Sequence, residues 1–201
     1  HSLFTDFMLP FEVAAVILTV AVIAAVMLTL RRREGAKHQD PSAQARVRDE
    51  IRAAGALDSN AIDGLRYLEA CVLETLRLWT PVPLLLRRAT TAFVLGDGTG
   101  VAAGEQLLIH AGSYHRDPRV FGDRADRFVP EAIGHDDPPI YVFSAHRQVC
   151  AGRSLVTFTL KATLASLLAR CRFELDGTID TARIPYMYDH FGVALRALPD
   201  A

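Results

Sequence analysis

"FSAHRQVCAG", residues 143 to 152, is the stretch whose reading decides the rest of this chain. A single cysteine, Cys150, closes a polar, basic run. Two small residues follow, Ala151 and Gly152, and then an apolar pattern of helical period, "SLVTFTLKATLASLLARC". In that pattern Leu155, Phe158, Ala162, Ala165 and Leu168 fall on or near one face. A cysteine so placed can be packed, paired, nucleophilic or bound to a metal.

Each alternative has its own requirements. A lone cysteine most often packs as a small hydrophobe, but Cys150 precedes a helix start instead of sitting in an apolar stripe. Backbone N–H groups at a helix N-terminus stabilise a thiolate, and Arg147 and Arg153 add positive potential. A nucleophile wants a base nearby, and His146 is on hand. A zinc site needs further thiols or a His/Cys array at short spacing, which the sequence does not offer. A single thiolate bound to haem iron is the remaining option.

The chain has 201 residues, half of them hydrophobic, and a formal net charge of -1, so nothing marks a nucleic-acid binder. Its three cysteines, Cys71, Cys150 and Cys171, are too few and too odd in number for a secreted disulfide framework. A reducing, cytoplasmic setting is the expectation. Residues Val13 to Leu30, "VAAVILTVAVIAAVMLTL", carry no charge and reach the lower edge of membrane-spanning length. "RRRE" follows as a basic flank. The rival reading of that stretch is a helix buried on all sides.

Pro41 breaks the pattern. "SAQARVRDEIRAA" resumes as an amphipathic helix with Ser42 as cap, and "GALDSNAIDG" reads as a loop. "LRYLEACVLETLRLW" places Leu65, Leu68, Val72, Leu76 and Trp79 at helical spacing, and Pro81 and Pro83 end it. "TAFVLGDGTGVAAGEQLLIH" reads as a β-hairpin in which Phe93 to Leu95 and a strand near Leu107 to Ile109 flank an Asp97-Gly98 turn. "RDPRVFGDRADRFVPEAIGHDDPP" has no period and reads as a long ordered meander. "RFELDG" and "VALRAL" read as closing strands. Within the Leu-dense helix, Glu74 and Arg77 are neighbours on one face. If buried, the pair needs further partners for its remaining hydrogen-bonding sites.

"ETLR", then "DRFVPEA", then "FSAHRQVCAG", with Cys150 76 residues after Glu74, together resemble the C-terminal half of a cytochrome P-450, a haem-thiolate monooxygenase. The resemblance covers nearly the whole chain. It implies a mainly α fold with a small β region, an α+β domain of which residues 1–201 are a part and the N-terminal half is missing; His1 in place of Met fits a processed or partial sequence. The apolar front would be the long helix crossing the distal face of the haem. Cys150 would be the proximal thiolate of a haem b, favouring O–O cleavage by pushing electron density onto the iron. Phe143 would shield the sulfur, and Gly152 would permit close approach of the helix start. Arg147 and Arg88 would pair with the propionates, with Arg87 as competitor. Glu74 and Arg77 would be the structural pair fixing the meander. A small organic substrate and an electron donor, a ferredoxin or a flavoprotein reductase, are implied as partners.

Departures from the family pattern qualify that reading. His146 stands where the family's loop normally has Gly. Ala132 stands where its meander usually supplies an Arg, so Arg124 or Arg127 is the expected stand-in. The helix after the cysteine usually has a Glu near Thr159. The acid and Thr that deliver protons to oxygen would fall near Ala24 and Ala25, so poor coupling is expected. Three readings stay open: the monooxygenase, a haem-binding pseudoenzyme or peroxide-using variant, and a membrane-anchored non-enzymatic protein spanning with residues 13–30.

Overall fold

The computed structural model describes residues 42–134, 138–176 and 194–199. Val13 to Leu30, with Ala24 and Ala25, and the break at Pro41 lie outside them. Among the described residues no helix is long and apolar enough to cross a membrane.

Three helices build the core. Helix α1 spans Ser42–Ala54, α3 spans Arg66–Leu78, and α6 spans Arg153–Leu168. Val47 and Ile51 of α1 meet Leu68, Cys71, Val72 and Leu76 of α3 and Leu160, Leu164, Ala165 and Leu168 of α6 in one cluster. Each fully buried aliphatic side chain there contributes about 1.5–3 kcal/mol through lost apolar hydration. The face that α6 buries agrees with its sequence in the second half and not at the start: Ala165 and Leu168 are buried as expected and Phe158 and Ala162 partly so, but Leu155 is 71% exposed, and Leu160, Lys161 and Leu164 also turn inward. Threonines, serines and Lys161 are interspersed with the apolar residues around the helix, so its pattern does not select one side cleanly.

Polar groups stitch these helices together. The Glu50 carboxylate of α1 accepts from the N–H groups of Tyr67 and Leu68, at 2.8 and 2.9 Å, and so satisfies the open start of α3. "DSNA" is a helix start and not a loop: Asp58 accepts from Ala61 N–H and caps the short α2, Ser59–Gly64. The buried Lys161 ammonium reaches the Asp63 carbonyl at 2.8 Å and the Glu69 carboxylate at 3.0 Å, which fastens α6 to the end of α2 and to α3.

Three two-stranded antiparallel ladders flank the helices. Strands β2 (Phe93–Val94) and β3 (Gly100–Val101) close around the Asp97-Gly98 turn, where Gly98 has φ +89. The later strand β4, Gln106–His110, does not join that hairpin. It pairs with β1, Leu84–Arg88, in the register Leu86↔Leu108. β1 lies directly after the two prolines, and its leucine run shows no alternation to reveal it. Strands β5 (Cys171–Asp176) and β6 (Ala194–Pro199) pair as closing strands. The Gln44 amide ties β5 to α1 by two hydrogen bonds to the Phe173 backbone. The short helices α4 (Ala111–His115) and α5 (Pro118–Phe121) then lead into the meander. The chain is thus mainly helical with small sheets, an α+β arrangement.

Candidate functional site

Glu74 and Arg77 sit one turn apart on α3 with side chains 0% exposed. Arg77 Nε and Nη2 donate to the two Glu74 carboxylate oxygens at 2.7 and 2.8 Å, a fork matched to a fork. The remaining N–H groups of the guanidinium go to backbone carbonyls. Nη1 donates to His115 O at 2.5 Å and Ala125 O at 3.0 Å, and Nη2, sharing its two N–H groups among three acceptors, also reaches Arg124 O and Arg127 O, both at 3.0 Å. Glu74 in turn accepts from Val129 N–H at 3.0 Å. The ring of Phe121 covers the guanidinium at 4.9 Å. The pair thereby pins the whole stretch from His115 to Val129.

Ala132 provides no cation here; its N–H closes a 3-10 turn on Val129 O at 3.1 Å. Arg124 and Arg127 serve the pair through their carbonyl oxygens. The far end of the meander is held separately. Glu131 takes a salt bridge from Arg46 and a hydrogen bond from the Tyr67 hydroxyl at 3.0 Å, and the Arg46 guanidinium lies 4.1 Å from the centroid of the Tyr67 ring. Burial holds the proton firmly on the Tyr67 phenol and likewise on the Cys71 thiol in the core beneath it.

The cysteine loop is closed by its own backbone. Cys150 N–H donates to Phe143 O at 2.8 Å, and Arg153 N–H returns to Cys150 O at 3.2 Å. Cys150 is exposed and free, as Cys71 and Cys171 are also free but set in the core and at the start of β5. A Cβ added at Gly152, the residue just before α6, would lie 3.7 Å from the Cys150 sulfur. The sulfur therefore rests against the first turn with no side chain between. Phe143 is half-buried against the helical core, with the Arg153 guanidinium 5.8 Å from its ring centroid.

Ser144 and His146 both adopt left-handed backbone, with φ 60 and 54. The second is the position where Gly would be free of strain; His accepts it at a cost of roughly 1–2 kcal/mol.

β1 borders this loop: Arg87 Nη2 donates to Ser144 Oγ at 2.5 Å. Arg88, next along the strand, is exposed on the opposite face with Leu84 and Leu86. Arg147 is exposed on the loop itself. By their chemistry the exposed guanidinium groups of Arg88 and Arg147, the exposed Cys150 thiol and the open apolar side chains of Val149, Leu84, Leu86 and Leu108 would suit a flat apolar group bearing iron at its centre and carboxylates at its edge. Among the described residues no set of three or more His, Cys, Asp or Glu gathers as a metal cluster.

One α+β domain thus carries a loop-borne thiol at a helix start and a buried Glu-x-x-Arg pair on a core helix. The cytochrome P-450 family model matches residues 38–195. The chain belongs to the cytochrome P-450 family. Its curated relatives include cytochrome P-450 71A18 of Arabidopsis thaliana, 34% identical over 143 residues, which are 66% of this chain and 28% of the relative. Cytochrome P-450 71A16 of the same plant is 32% identical over 79% of this chain and 33% of its own length. Ferruginol synthase of Salvia miltiorrhiza is 30% identical over 78% of this chain and 34% of its own length. The match thus spans about a third of the length of these relatives.

Two outcomes are expected from this geometry. Arg77→Met strands the Glu74 carboxylate in the interior and should cost about 3–5 kcal/mol; Arg77→Lys should rescue little, because one ammonium cannot reach the same acceptors. Denaturant titration measures both. His146→Gly should raise stability by about 1 kcal/mol by relieving the left-handed backbone, less the entropy Gly adds to the unfolded chain. Equal midpoints for the two proteins would show that the loop bears no such strain.

Proposed function

We propose that the chain is the C-terminal portion of a haem-thiolate monooxygenase that inserts one oxygen atom from O2 into a small organic substrate. The observation that supports this most is the exposed Cys150 sulfur, held against the first turn of α6 by a backbone-closed loop. Bound haem b supplies the oxygen-activating redox chemistry, with its iron on that sulfur.

The chain's own residues do the rest. Amides at the start of α6 and the nearby Arg147 and Arg153 would surround the sulfur–iron bond with positive potential. Phe143 shields the sulfur from water on the core side. Arg88 and Arg147 are the propionate partners; Arg87 is engaged by Ser144 and braces β1 against the loop. The loop side of the haem would receive the electron donor, a ferredoxin or a flavoprotein reductase. A haem-binding pseudoenzyme or peroxide-using variant is the second reading, favoured by one feature of the sequence: Ala24 and Ala25 stand where the proton-delivering acid and hydroxyl would be. Loss of general acid assistance costs a factor of about 10²–10⁴, and reducing power would then emerge as peroxide.

The ferrous–carbonyl spectrum of the haem-reconstituted protein tests the ligand. The Soret band should show the red shift of thiolate ligation, Cys150→Ser should abolish it, and Cys71→Ala and Cys171→Ala should keep it. A shifted band that survives Cys150→Ser would sink the assignment.

A further inference from the structure

The imidazole of His115, at the end of α4, is fully buried and bonded at both nitrogens. Tyr141 N–H donates to Nε2 at 2.9 Å. A backbone amide can only donate, so Nε2 carries no proton and Nδ1 does. Nδ1–H then donates to Thr80 Oγ1 at 2.8 Å, and the Thr80 hydroxyl donates to Arg77 O at 3.1 Å. The carbonyl of His115 itself accepts from the Arg77 guanidinium at 2.5 Å. The Tyr141 peptide is held on its other side too, since Ser144 N–H donates to Tyr141 O at 3.1 Å. One imidazole in one tautomer therefore connects the end of α3 and the buried pair to the strand of chain that enters the cysteine loop.

We propose that His115 is a positioning residue for the cysteine loop: as the neutral Nδ1–H tautomer it fastens Tyr141 to the Glu74–Arg77 network, and protonation of the ring unfastens that end of the loop. A proton on Nε2 would face the Tyr141 N–H donor to donor. The surroundings oppose that proton. From α3 the ring faces the Arg77 guanidinium, and Glu74 behind it is taken by Arg77 and by Val129 N–H. The other neighbours are aromatic or hydroxylic: Tyr114 at 5.6 Å and Phe121 at 6.4 Å between centroids, with Thr80 and Tyr141 at the two nitrogens. The Arg124 guanidinium lies 5.3 Å from the Phe121 ring centroid.

Burial, and then Arg77, push the His115 pKa down from 6.5 to about 4. A depressed imidazole pKa makes the fastening fully present above the unperturbed value. It weakens as pH falls from about 6.5 toward 4, because only the released ring takes the proton.

The test is amide hydrogen exchange on the full chain in mild detergent, corrected for intrinsic rates. Between about pH 7.5 and about pH 5, protection of the Tyr141 amide should fall at least about tenfold, while Leu68 and Val72 in α3 keep theirs. His115→Gln retains an acceptor for Tyr141 without a titrating ring, and its protection should stay level across the same range. Three results would each overturn the proposal: unchanged protection at Tyr141, an equal fall in His115→Gln, or a fall shared by α3. If His115→Gln does not fold, the nitrogen-15 spectrum of the unaltered ring decides: an unprotonated Nδ1 refutes the assignment. None of these readings requires haem, so failure here and failure of the thiolate reading are distinguishable.

Discussion

Arg77 commits all its N–H groups inside the protein, and that commitment organises the region around the cysteine. A guanidinium with no exposed surface cannot be left partly satisfied, because its charge has already lost its water. Glu74 supplies two acceptors, and the carbonyls of His115, Arg124, Ala125 and Arg127 supply the others. The meander has little regular structure of its own to hold it. Its path is set by where four carbonyls must point. A chain segment rich in turn residues can therefore be ordered without forming a helix or a ladder.

The same logic explains how the chain manages without a cation at Ala132. A second guanidinium would add to the charge balance of the pair, but the pair as it stands is already neutral. What it requires is acceptors, and backbone from Arg124 and Arg127 provides them irrespective of side chain. The end of the meander is then fixed by a separate device, Glu131 with Arg46 and Tyr67, which links it to α1 and α3. The cysteine loop inherits its position from both: α6 packs on the core that α1 and α3 build, and the chain before the loop reaches the pair through His115.

Much of this was legible in sequence, for reasons that differ by element. Helices α1 and α3 announce themselves by periodicity, β5 by the alternation of apolar and charged residues and β6 by a short, mostly apolar run. Cys150 stands out because a helix start follows two small residues, and Glu74 with Arg77 because charge inside a leucine-rich helix demands partners. Other features depend on distant residues. β1 has no pattern until β4 lies beside it. α6 chooses its buried face by what α1 and α3 present. Arg87, Thr80, His115 and Tyr141 act through contacts across tens of residues, and no local spacing marks them. The Asp58 cap of α2 was readable from "DSNA", an Asp before a small polar run, although the apolar pattern there is faint. His146 carries its strain in a backbone angle that its letter does not show.

If the pair matters chiefly as an anchor for backbone, removing both charges together separates anchoring from electrostatics. In Glu74→Leu/Arg77→Met no charge is left stranded, so α3 should keep its amide protection. The amides of Ala125 and Arg127 bond locally to Gly122 O and Arg124 O and not to the pair. Their hydrogen exchange in the double variant is the decisive measurement. A loss of protection of at least about tenfold there, with α3 intact, is the expected result. Full protection of Ala125 and Arg127 in the double variant would contradict the account, because the meander would then be holding itself.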